Sequence, residues 1–118
     1  MKCCPKDKNI KKEWIDRLEN ESNSISKDKV TGISNYSYVF SHPLRVKIAF
    51  LLNNGDRCVC EIVSILKAKQ NLISHHISIM KKYGVVSSYN QSKYKYYMLE
   101  RTAADFLSAL SDKMTTRR

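Results

Sequence analysis

Apolar residues recur along this chain first at helical and then at strand spacing. Ile10, Trp14 and Leu18, with Ile15 beside them, mark one face of a helix over residues 9–20. Its opposite face is charged, with Lys11, Lys12, Glu13, Asp16, Arg17 and Glu19. The polar run from Glu19 to Lys29 reads as a linker. A second helix is expected over Val30–Phe40, although Gly32 and the β-branched Thr31 are poor helix formers. Ser41-His42-Pro43 punctuates the chain, with Ser41 as a candidate N-cap and Pro43 in the first turn. The apolar run Leu44–Leu52 follows and ends at Asn53-Asn54-Gly55. Cys58-Val59-Cys60-Glu61 has the form of a capping box, with Cys where Ser usually stands, and Ile62, Ile65 and Leu66 give the buried face behind it. After a short turn at residues 68–71, Leu72, Ile73, Ile77 and Met80 mark a helix that ends before Gly84. The period then drops to that of a strand. Residues 85–89, a turn at Asn90-Gln91-Ser92 and residues 93–99 read as a hairpin. Thr102 can cap a last helix, with Ala103, Phe106, Leu107, Leu110 and Met114 on its apolar face.

Composition narrows the class. The chain has 118 residues, which suits one domain, and only 3 Gly and 2 Pro, which argues against a turn-rich sandwich. No apolar run approaches the roughly 18 residues of a membrane span, and the N-terminus has no apolar signal core. A cytoplasmic protein without a membrane partner is expected. Its 21 Lys+Arg against 11 Asp+Glu give a net charge of +10, which points to an acidic partner such as nucleic acid or an anionic surface. The 4 cysteines fall in two tight pairs, Cys3-Cys4 and Cys58/Cys60. In a reducing compartment such pairs read as metal or redox chemistry before a disulfide framework. No Gly-rich phosphate loop, paired-carboxylate motif or Cys–His pair in a supporting cleft specifies an enzyme.

The order helix, helix, turn, helix, hairpin is that of a winged helix-turn-helix, a mainly α fold with a β-hairpin. The major groove admits one α-helix, which a preceding helix braces, and a basic hairpin reaches the neighbouring backbone. The expected recognition helix is Asn71–Tyr83. Its apolar positions face inward, while Gln70, Asn71, Ser74, His75 and Ser78 face outward. Gln and Asn can pair bidentately with adenine, whereas Ser and His are less selective. Lys81, Lys82, Lys93 and Lys95 suit phosphates, which set affinity and salt dependence more than sequence preference. Tyr94, Tyr96 and Tyr97 read as cross-strand packing residues in preference to base-stacking ones.

Three segments carry a family resemblance. Phe40–Leu52 (FSHPLRVKIAFLL) resembles the opening helix junction of the ArsR/SmtB family of metal-responsive repressors. Cys58–Ile62 (CVCEI) is similar to that family's metal box, usually written ELCVCDL. Lys69–Val86 (KQNLISHHISIMKKYGVV) is similar to its recognition helix. The resemblance covers roughly residues 30–114. It implies a winged-helix homodimer that binds double-stranded palindromic operator DNA and releases it when ligand binds. The helices flanking the DNA-binding unit, around Val30–Phe40 and Thr102–Met114, would form the dimer interface. Residues 1–29 are then an N-terminal extension with one helix and Cys3-Cys4, and residues 30–118 the DNA-binding and dimerisation domain.

The resemblance also implies an effector site. Thiolates select soft ions: Cd(II), Pb(II), Zn(II), Hg(II), Cu(I), and trivalent As and Sb. A helix N-terminus favours the thiolate form. On a complete helix, residues two apart point about 200° from each other, so Cys58 and Cys60 can share an ion only at the helix start. The arsenic-sensing prototype has a third Cys where this chain has Val63. In the cadmium/lead-sensing branch, cysteines on an N-terminal extension cross the dimer to the C-x-C pair. Here Cys3 and Cys4 would do so, although their adjacency departs from that branch's wider spacing. Three sulfurs would suit As(III), Sb(III) or Pb(II), and four would suit Cd(II) or Zn(II). The family's second site, on the C-terminal helix, needs His. That segment offers Asp105 and Asp112 without one, so that site is expected to be absent. His76 is expected to pack or hydrogen-bond, and His42 to cap. Two alternatives stay open: a thiol–disulfide redox regulator of the same fold, and a metal-buffering or interaction protein that does not bind DNA.

Overall fold

Residues 6–115 are described in a computed structural model; Cys3 and Cys4 lie outside them. The chain divides into two compact units, one ending at Ile33 and the other beginning at Ser34.

In the first unit, α1 (Lys8–Ser24) starts at Asp7, whose Oδ1 accepts from the amides of Asn9 at 2.9 Å and Ile10 at 3.3 Å. The expected linker at residues 19–29 is almost entirely helical. Polar composition alone does not stop a helix, and this stretch has neither Gly nor Pro. Only Ile25-Ser26 interrupts it, and Ser26 Oγ then accepts the Lys29 amide at 3.2 Å to start α2 (Lys27–Val39).

The second unit holds the core. α3 (Pro43–Asn53) is capped by His42, not Ser41: His42 Nδ1 accepts the Leu44 amide at 3.2 Å, while Ser41 Oγ donates back to the Tyr38 carbonyl at 2.6 Å. A two-residue strand that the pattern does not reveal, β1 (Arg57–Cys58), runs directly into α4 (Val59–Leu66). Lys67 turns the chain with φ 53° into α5 (Gln70–Lys82). Gly84, at φ 74°, ends α5 in a Schellman arrangement: its amide donates to the Lys81 carbonyl and that of Val85 to the Met80 carbonyl. The hairpin is β2 (Val86–Gln91) and β3 (Tyr94–Leu99), and Gln91 pairs with Tyr94. Its loop is therefore Ser92-Lys93, shorter and later than the expected turn, with Ser92 in the left-handed region at φ 57°. Strand order is β1-β3-β2, antiparallel throughout. The chain closes with α6 (Arg101–Thr115).

The helices from the end of α2 onward, with β2 and β3, send side chains into one core, among them Val39, Ile48, Leu52, Ile62, Ile73, Ile77, Met80, Val86, Leu99 and Leu107. Tyr36 and Phe40 of the α2 end meet Phe106 of α6 at ring separations of 5.3 and 5.8 Å. These contacts fix α5 against α3 and α4 and leave its other face to solvent.

Candidate nucleic-acid interface and thiol pair

Burial of Ile73, His76, Ile77 and Met80 sets the rotation of α5. Gln70, Asn71, His75, Ser78, Lys81 and Lys82 are consequently exposed and Ser74 is half-buried, so the sequence-derived base-reading set shares one accessible face. Asn71 Oδ1 accepts the Leu72 amide at 2.9 Å, which leaves its amide group as the outward donor. The lysines differ in their surroundings. Lys81 Nζ donates to Ser88 Oγ of β2 at 2.8 Å, joining helix to wing. Lys82 lies over the Tyr83 ring at 5.7 Å and Lys95 over the Tyr97 ring at 5.8 Å. Lys93 sits exposed in the hairpin loop. Two of the three tyrosines expected to pack do so, Tyr96 stacking on Tyr89 at 5.8 Å and Tyr97 packing on the core, whereas Tyr94 is exposed near the hairpin loop.

The inner side of α5 is tied down by a residue that the sequence reading passed over. Arg45 of α3 is buried, and its Nε donates to the Val39 carbonyl at 2.7 Å and its Nη2 to the Tyr38 carbonyl at 3.1 Å. Its Nη1 lies 3.3 Å from His76 Nδ1, which must therefore accept, placing the neutral ring's proton on Nε2. His42 packs against His76 at 4.4 Å between ring centroids. Burial, and then the charges of His42, Arg45 and His75, hold the His76 pKa below the usual imidazole value.

Cys58 and Cys60 are free thiols at the start of α4. Cys58 is the N-cap, extended at φ −85° and ψ 166°, so one of the two lies outside the helix proper. The Cys58 amide and thiol both donate to Glu61 Oε1, at 3.1 and 3.4 Å. These bonds, the amide first, lower the Glu61 pKa. Soft thiols at a helix start fit a soft cation. Among the described residues no three or more His, Cys, Asp or Glu side chains come together as a metal cluster, so this pair would need further donors.

A helix braced behind an exposed recognition helix, followed by a basic hairpin, defines a winged helix-turn-helix. The profile described as "Bacterial regulatory protein, arsR family" matches residues 42–88. An uncharacterised HTH-type transcriptional regulator of Methanocaldococcus jannaschii is 41% identical over 61 residues, 51% of this chain and 68% of that protein. The cadmium resistance transcriptional regulatory protein CadC of Listeria innocua is 30% identical over 86 residues, 72% of each chain. A homodimeric winged helix-turn-helix DNA-binding domain from Mycobacterium bovis superposes with a TM-score of 0.70 at 18% identity, covering 78% of this chain and 89% of that one, and so shares the fold. The chain belongs to the ArsR/SmtB family of winged-helix transcriptional regulators, and it is not an enzyme. No helix among the described residues is long and apolar enough to cross a membrane.

Proposed function

We propose that this protein is a cytoplasmic transcriptional repressor that binds a palindromic operator as a homodimer and lets go when a soft metal or metalloid ion (Cd, Pb, Zn, As or Sb) binds its thiolates. One observation carries the reading: two free thiols sit at the N-terminus of the helix that directly braces the recognition helix. Gln70, Asn71, Ser74, His75 and Ser78 face base edges, and Lys81, Lys82, Lys93 and Lys95 face phosphates. The relation to CadC, a protein named for cadmium resistance, supports a metal effector. Cys58 and Cys60 supply two ligands. Cys3 and/or Cys4, on the N-terminal extension of the second subunit (residues 1–29), complete the set. The bound ion would join that extension to the start of α4. Support for the dimer comes from an apolar groove of about 430 Å³ between α3 and α6, lined by Phe40, Val46, Phe50, Leu107, Leu110, Ser111 and Met114.

The test begins with an operator selected from a random-sequence duplex pool. Cd(II), Pb(II) or As(III) should weaken its binding by about tenfold or more. Cys58→Ser and Cys60→Ser should abolish this response together with the thiolate-to-metal absorption. Cys3→Ser and Cys4→Ser, taken singly, identify the remaining ligand. Operator affinity indifferent to every ion overturns the proposal.

A further inference from the structure

Cys58 holds two structural positions at once. It is the N-cap of α4, and it is the second residue of β1, where it pairs with Tyr96 of the wing strand β3. The residue before that strand, Asp56, accepts a hydrogen bond from Tyr89 Oη at 2.7 Å, across 33 positions of sequence. Tyr89 in turn stacks on Tyr96, with ring planes 22° apart. The wing is thus held from both sides: by Lys81–Ser88 to the recognition helix, and by Asp56–Tyr89 and the β1 pairing to the thiol segment.

We propose that the state of Cys58 reaches DNA through the sheet, with Asp56 and Tyr89 as positioning residues that couple the thiol segment to the wing. The proposal rests on Cys58 being a metal ligand. When sulfur bonds the ion, the S–H bond breaks and the proton leaves to solvent. The bound sulfur then has nothing to donate to Glu61. The carboxylate loses that contact, and a sulfur held by the ion draws Cys58 out of its cap position, so that the Cys58 amide loses its acceptor on Glu61. The junction between β1 and α4 is then uncapped. β1 is joined to the sheet by only two residue pairs, Arg57–Tyr97 and Cys58–Tyr96, so it yields more readily than β2, which pairs along six residues. Its displacement pulls Asp56 from Tyr89 and shifts Tyr96. The hairpin that carries Lys93 and Lys95 tilts away from its position on the duplex while α5 stays seated on the core.

A double-mutant cycle in metal-free protein tests this without any ion. Glu61→Ala removes the acceptor on Cys58 directly and should weaken operator binding about threefold to tenfold. Tyr89→Phe deletes one exposed hydroxyl, leaves the stacked ring in place, and should weaken binding to a similar extent. The two effects should be strongly less than additive, because each breaks the same connection. Thermal melting confirms that both variants fold. Metal is then added to Tyr89→Phe: the absorption titration should match that of the wild type, while the change in operator affinity should shrink severalfold. Additive effects in the cycle, or an undiminished metal response in Tyr89→Phe, overturn the wing route. An ion that binds neither wild type nor variant overturns the metal reading instead and leaves the cycle to decide the route.

Discussion

Arg45 is a cation in the core whose described hydrogen-bond partners are two carbonyls and an imidazole, with no carboxylate. It joins the end of α2, the body of α3 and the inner side of α5. Removing it strands the Val39 carbonyl, at about 1–3 kcal/mol, while the Tyr38 carbonyl keeps Ser41 as a donor, so Arg45→Met should lower unfolding free energy by about 1–3 kcal/mol in urea titrations. Burial first, and then the neighbouring His42 and the Arg45 contact, make His76 intolerant of protons. A protonated ring would turn a second cation and an N–H toward Arg45, with His42 and His75 adjacent. The unfolded chain takes up that proton near the usual value of about 6.5, and the folded protein only at lower pH. His76 therefore contributes stability that is present above about pH 6.5 and lost as pH falls below it. The urea midpoint should drop between pH 7.5 and 5.5, and His76→Asn should flatten that drop; an unchanged profile in the variant contradicts the assignment. Burial of Arg45 was legible in part: positions 45, 48, 49 and 52 follow the i, i+3, i+4, i+7 spacing of the buried face. Charge alone suggested an exposed residue, and only the fold supplies the carbonyls that satisfy it.

Helices with a strong apolar stripe were readable as elements, as were the Cys58–Glu61 start of α4 and the Gly84 end of α5, because each depends on neighbours within a few residues. What escaped depends on partners far away. β1 is a strand only because Tyr96 and Tyr97 lie beside it, and two residues carry no periodicity. The hairpin turn shifted because Ser92 accepts a left-handed conformation without Gly, a cost that cross-strand register repays. The outward set on α5 followed from the stripe, so the candidate base-reading residues were legible; the Lys81–Ser88 and Tyr89–Asp56 links were not. Two predictions belong at this scale. Gly32 lies inside α2, and an added Cβ there meets nothing within 4 Å, so Gly32→Ala should raise stability by about 0.5–1 kcal/mol, seen as a higher melting temperature. On the wing, Lys93→Gln and Lys95→Gln should each reduce the slope of log affinity against log salt by about 1 if each lysine meets a phosphate. An unaltered slope assigns that lysine to plain surface charge.

At the scale of the molecule, the apolar surface exceeds what one chain covers. Phe50 is 45% exposed, Leu110 48% and Met114 75%, all on the groove between α3 and α6. Phe50→Glu should leave the fold intact, since the ring is outside the core, yet shift sedimentation to the monomer and abolish tight operator binding. A variant that remains dimeric places the interface elsewhere. The groove has one further consequence, which concerns time. Its first wall comes from Phe40, Val46 and Phe50, and its second from Leu107, Leu110 and Met114, so it is complete only after α6 has left the ribosome. The reading head, α3 to β3, is continuous in sequence but shares its core with Ala103 and Leu107 of α6, so head and groove are completed together. Each newly made subunit would then gain its reading head and its pairing surface in the same step. Operator occupancy would follow the supply of finished chains, not of nascent ones.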